Sequence, residues 1–184
     1  MTKTELDFII NGCKQQSRLC QKNLYQLFYN YGMNISHRYT HSEMEAEEIV
    51  NEAFIKVFTH IDSFKIEMTF SNWFHTIVVR SSINYLKKYD KNKNNETISD
   101  KNAPSIDDEI LSKMSADEIF NLIRQLAPTY KAAFNLFVVE GYSHAEIAKL
   151  MSITEGTSRS NLLIARQKLQ AMITHQNSIK VYGK

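Results

Sequence analysis

At 184 residues with 43% hydrophobic and 23% charged side chains, the chain suits one domain or two small ones and is apolar enough to build cores. Five Gly, two Pro, long helix-period stretches and no convincing period-two run predict an all-α protein. No export signal is recognisable and no apolar run approaches the roughly 18 residues of a membrane span, so a cytoplasmic protein without membrane insertion is expected.

The first helical segment covers much of 3–33, with Leu6, Phe8, Ile9 and Ile10 followed by Leu19, Leu24, Leu27, Phe28 and Tyr31. Cys13 and Cys20, seven apart, are expected on one side of that helix as buried or idle thiols, forming neither a disulfide nor a zinc site. The six histidines are scattered without metal-ligand spacing, so no metal and no cofactor is expected.

Ser42 and Glu45 form a capping box, in which the serine oxygen accepts a free backbone N–H and the glutamate reaches back to the cap. It starts a helix whose apolar stripe is Ala46, Ile49, Val50, Ala53, Phe54, Val57 and Phe58, with Glu48, Asn51, Glu52 and Lys56 opposite. The loop DSFKIEMTF leads to a third helix, from about Ser71 through Tyr89.

Lys87 to Glu109 reads KKYDKNKNNETISDKNAPSIDDE, which is linker composition. Two small helical domains are therefore expected, 1–90 and 113–184, joined by a flexible linker over 91–112. Ser115 and Glu118 form another capping box, for a helix through Leu126, and Pro128 opens the helix that precedes Gly141.

The stretch SHAEIAKLMSITEGTSRSNLLIARQKL, Ser143 to Leu169, predicts a helix-turn-helix. Ser143 and Glu146 cap its first helix, Thr154 caps the second, and Glu155 lies at the positive end of the second helix dipole. Ser158, Leu162, Ala165 and Leu169 make one inward stripe and leave Arg159, Ser160, Asn161, Leu163, Ile164 and Arg166 outside. That division suits a reader of a nucleic-acid groove, and it equally suits a helical hairpin that binds nothing. Charge favours the first reading, because 113–184 hold nine Lys/Arg against five Asp/Glu whereas 1–90 hold ten of each.

Glu48 to Val57, then Ile61-Asp62-Ser63-Phe64, Phe70, Trp73 and Asn84-Tyr85-Leu86, resemble the second region of extracytoplasmic-function (ECF) sigma factors of bacterial RNA polymerase. Leu126 to Leu169 is similar to their fourth region, with Tyr130, Glu140-Gly141, Ser143, Glu146-Ile147-Ala148 and Glu155-Gly156-Thr157 in the family's places. Two blocks in the right order are far more specific than one helix-turn-helix.

The resemblance implies a non-enzymatic protein that binds core RNA polymerase and directs it to promoter DNA. It implies that Glu48, Asn51, Glu52 and Lys56 grip the polymerase clamp, although a solvated face is the bland reading of the same residues. It implies that Phe64 to Lys88 engage the minus-ten element through Lys65, Arg80, Asn84, Lys87 and Lys88, with Trp73 more a core residue than a stacking platform. Thr157, Arg159, Ser160, Asn161, Leu163, Ile164 and Arg166 would read the minus-thirty-five element. Many members are held inactive by an anti-sigma factor that covers the polymerase-binding surfaces, which makes such a protein a further candidate partner.

This chain departs from the family where Arg80 replaces an asparagine, where Ile66, Glu67 and Met68 make a less polar loop, and where Ser152 replaces the usual turn glycine. The alternative is a helix-turn-helix regulator acting as a dimer without polymerase, in which the acidic face of 45–58 has no evident role. An enzyme is disfavoured because no carboxylate pair, activated nucleophile, phosphate loop or metal cluster can be placed.

Overall fold

Hydroxyl caps set most of the helix starts in the computed structural model, which describes residues 2–65, 68–89 and 115–182. Thr2 and Glu5 form a capping box that opens α1 (Lys3–Lys14), and Ser17 accepts from Cys20 N to open α2 (Arg18–Ser36). Ser42 and Glu45 do the same for α3 (Glu43–His60), which runs into a 3₁₀ turn at Ile61–Ser63, and α4 (Phe70–Tyr89) follows. No strand occurs among the described residues.

The single segment expected over 3–33 is therefore two helices. Gln16 turns to a left-handed φ of 58°, and Ser17 offers its side chain to the next helix, so the polar Gln-Gln-Ser run ends α1. This also corrects the cysteines, which lie on different helices, both buried and both free. The helices cross so closely that a Cβ added at Gly12 would lie 2.2 Å from Cys20 Sγ. Burial, helped by the neighbouring Cys20 thiol, pushes the Cys13 thiol up to about 11.

The chain divides into two compact units, Met1–Tyr85 and Leu86–Lys184. In the first, Leu24 and Phe28 of α2, Ile49, Val50, Ala53, Phe54 and Val57 of α3, and Phe70, Phe74, Val78 and Ile83 of α4 make the core. Phe74 sits at its centre, with ring centroids 4.7 Å from Phe54 and 5.9 Å from Phe28. Trp73 is half-buried and packs on Phe64 and Phe70 at the edge of this core. Lys56 spans α3 and α4, its amine held by Glu52 at 2.6 Å and donating to Ser81 Oγ at 3.0 Å.

The second unit contains α5 (Ala116–Gln125), α6 (Pro128–Phe134), α7 (His144–Met151) and α8 (Glu155–Tyr182). The capping boxes Ser115/Glu118 and Ser143/Glu146 and the Pro128 start are all present. α6 continues into one π turn, Asn135–Val139, and Gly141 at φ 75° releases the chain toward α7. Leu122, Ile123, Leu126 and Phe134 meet Leu162, Ala165, Leu169 and Ile173 of α8 in the core. The segment 91–112 lies outside the described residues, as do Ile66 and Glu67, while Lys87 and Lys88 belong to the end of α4.

Ser152, which caps α7, is left-handed at φ 58° and ψ 45°. An L side chain there and at Gln16 costs about 1 kcal/mol relative to glycine. Ser152→Gly and Gln16→Gly are each expected to raise stability by about 0.5–1 kcal/mol, less what the looser unfolded chain takes back. Urea titration of full-length variants checks this, and a lowered midpoint would mean that either side chain makes contacts worth more than the strain.

Candidate functional site

In the first unit, the polar face of α3 stands opposite a fully buried apolar face. Glu48 and Asn51 are exposed and Glu52 and Lys56 half-buried, so the sequence places these four side chains correctly on one side of the helix. Their surroundings were less legible. Tyr25 of α2 donates to Asn51 Oδ1 at 2.9 Å and Tyr29 to Glu47 Oε1 at 3.1 Å, lining a polar trough with Gln26 and Asn30. Burial and Glu47 hold both phenols above their ordinary values, so they remain donors. A tyrosine repeat at i, i+4 on α2 was the available signal. Lys56, engaged by Glu52 and Ser81, is a brace between helices more than a free cation.

α4 presents Arg80, Asn84, Lys87 and Lys88 to solvent, at spacings of four, three and one. Lys65 is exposed on the preceding loop. Arg80, Lys87 and Lys88 make the exposed side of α4 cationic. The neighbouring Ser81 and Ser82 are turned inward, Ser82 bonding its own helix at Val78 O.

The second unit has helix-turn-helix geometry. Thr154 Oγ1 accepts from Thr157 N at 3.0 Å, which caps α8, and α7 is joined to it by the left-handed Ser152. Ser158 is buried, and its hydroxyl lies 3.0 Å from His144 Nδ1 while the His144 ring stacks on Phe137. Arg159 and Ser160 stay on the outer side with Leu163 and Arg166, and Thr157 sits beside the cap. The Arg159 guanidinium pairs with Glu155 at 3.0 Å.

Two expected outward residues are corrected. Asn161 is 6% exposed and Ile164 2%, so neither can present its side chain to a groove. α8 packs against α5, α6 and α7, and three neighbours require a buried arc wider than the single stripe of Ser158, Leu162, Ala165 and Leu169. His144 was missed altogether, since a histidine one residue after a cap carries no periodic signal.

His144 is held below its usual value of 6.5 by burial first, then by Arg159 and Arg166, with Glu155 opposing. A lowered folded value means that the unfolded chain takes up the proton first. Its contribution to stability is therefore complete above 6.5 and lost as pH falls through the lowered value. The second unit should melt progressively earlier as pH falls below 6.5, and His144→Gln should flatten that slope. An identical slope in the variant would assign the effect to other groups.

Among the described residues, no group of three or more His, Cys, Asp and Glu could hold a metal ion, and no helix is long and apolar enough to cross a membrane. The secondary structure of the described residues is all helical, with a capped helix-turn-helix in the second unit and an acidic face on α3 in the first. Sigma-70 region 2 matches residues 24–92, and Sigma-70 region 4 matches residues 116–169. The chain is 31% identical over 144 residues to the ECF RNA polymerase sigma-E factor of Haemophilus influenzae, covering 72% of this chain and 76% of that protein. It is 26% identical over 137 residues to the ECF RNA polymerase sigma-E factor of Escherichia coli K12, covering 68% and 72%. In fold it is similar to the sigma factor RpoE of Bartonella quintana, solved with the anti-sigma factor NepR, at a TM-score of 0.51 and 18% identity over 83% of this chain and 96% of that one. The chain belongs to the ECF sigma factors of the sigma-70 family. It binds core RNA polymerase and promoter DNA and directs promoter-specific transcription initiation, without catalysing a reaction itself.

Proposed function

We propose a division of labour between the two units. Residues 1–90 act as region 2 and 113–184 as region 4, with 91–112 as the connection. Within region 2, Glu48, Asn51 and Glu52 contact core polymerase while Lys56 braces them. Lys65, Arg80, Asn84, Lys87 and Lys88 engage the minus-ten element, where cationic contacts stabilise melted DNA. Within region 4, Thr157, Arg159, Ser160, Leu163 and Arg166 read the minus-thirty-five element, and Asn161 and Ile164 support the helix from inside. The protein works in the cytoplasm, where its polymerase is. An anti-sigma factor fits as a further partner, in keeping with the complex of the Bartonella relative.

The observation that carries this reading is α3, with one face closed into the core and the other left as an exposed acidic ridge. Glu52→Lys reverses charge at its centre and sets a lysine against Lys56. Core-polymerase affinity is expected to fall roughly tenfold or more, about 1.4 kcal/mol, with helix content by circular dichroism unchanged. Unaltered affinity for core enzyme would remove this face from the interface.

A further inference from the structure

α3 buries Ala46, Ile49, Val50, Ala53, Phe54 and Val57 completely or nearly so. Its two remaining large aliphatic side chains do the opposite, with Met44 77% and Ile55 66% exposed. Single exposed apolar residues are common and need no explanation. These two differ because Met44, Glu48, Asn51 and Ile55 follow spacings of four, three and four, which is one stripe on one helix face. The acidic ridge is thus bounded at each end by an apolar side chain the core does not use. Eleven residues at helical rise put those ends about 16 Å apart.

Tyr25 and Tyr29 meanwhile fix Asn51 and Glu47 from the side, so the middle of the stripe is held before any partner arrives. Charge in such a surface sets encounter and orientation, while a few side chains desolvated in fitted pockets supply most of the binding energy. Resting on the assignment of α3 to core polymerase, we propose that Met44 and Ile55 are the apolar anchors of that interface. They enter two recesses on a polymerase surface whose intervening side chains are basic and face Glu47, Glu48 and Glu52. Unbranched, polarisable methionine suits the end that must adapt, and rigid β-branched isoleucine suits a fitted pocket.

The test compares full-length Met44→Ser, Ile55→Ser, Glu52→Lys and Phe8→Ser for binding to core RNA polymerase at low and high salt. Phe8 is 74% exposed on α1 and serves as an apolar control away from the stripe. Met44→Ser and Ile55→Ser are each expected to weaken binding by roughly tenfold or more, by the same factor at both salt concentrations, because apolar burial is not screened. The Glu52→Lys loss shrinks as salt rises, Phe8→Ser binds as the parent does, and thermal unfolding of both serine variants is unchanged. Parental affinity in both serine variants beside a weakened Glu52→Lys overturns the anchors and leaves the acidic face standing. Parental affinity in all three overturns the face as well. A loss in Phe8→Ser equal to that in Ile55→Ser overturns the specific role of the stripe.

Discussion

Phe74→Ala is expected to cost the N-terminal unit about 3–5 kcal/mol, a large part of the roughly 5–15 kcal/mol that a domain possesses. Phe74 is 0% exposed and lies within ring-contact distance of Phe28, Tyr31, Phe54 and Phe70. Its ring also faces Gly32 closely, since a Cβ built there would sit 3.2 Å from Phe74 Cζ. Three helices therefore converge on one side chain, and a cavity at that point has no flexible neighbour to collapse into it. Trp73 is the chain's one tryptophan and packs on Phe64 and Phe70, so its fluorescence during urea titration reports this unit and not the other. A midpoint shift worth less than about 1 kcal/mol would show that the four rings repack around the gap.

Arg159→Ala carries the largest expected effect on promoter choice. Arg159 projects from the outer side of α8 one turn after the Thr154 cap, where a guanidinium can reach guanine O6 and N7 or an adjacent phosphate. In the free protein it is paired with Glu155, an exposed contact worth little on its own and readily exchanged for a base. If Arg159 reads a base, alanine costs about 1–3 kcal/mol at the preferred sequence and flattens discrimination at one position. A phosphate contact instead weakens all sequences alike and lowers the salt slope by about one. Arg166, nearer the C-terminal end, should behave in the second way. Holoenzyme binding to a panel of promoter duplexes at several salt concentrations separates these outcomes. No change in affinity, slope or promoter choice for either alanine variant would show that α8 does not read DNA.

Local chemistry made much of this molecule legible in advance. Ser42/Glu45, Ser115/Glu118 and Ser143/Glu146 each satisfy orphan N–H groups within four residues of chain, so the sequence alone locates those starts. The α3 stripe was equally readable, because its burial follows one helix period. The break at Gln16 was not, since glutamine at a left-handed φ has no sequence signature. The inward turn of Asn161 and Ile164 depends on how many helices surround α8, a tertiary fact that periodicity on one helix does not contain. The same holds for the Tyr25 and Tyr29 bonds to α3, which join residues 26 and 18 positions apart.

The crossing of α1 and α2 at Gly12 also makes the Cys13 thiol a natural chemical clock. With burial pushing the Cys13 thiol up to about 11, it stays protonated at neutral pH. The Cys13 side chain is 2% exposed, so an alkylating reagent reaches it through transient separation of the helices, whereas Cys20 borders an open groove. The rate of alkylation, measured against that of the unfolded chain, then gives the free energy of that local opening without any label introduced by mutation. If polymerase holds α3 as proposed, the clock slows on binding only to the extent that its grip reaches α1.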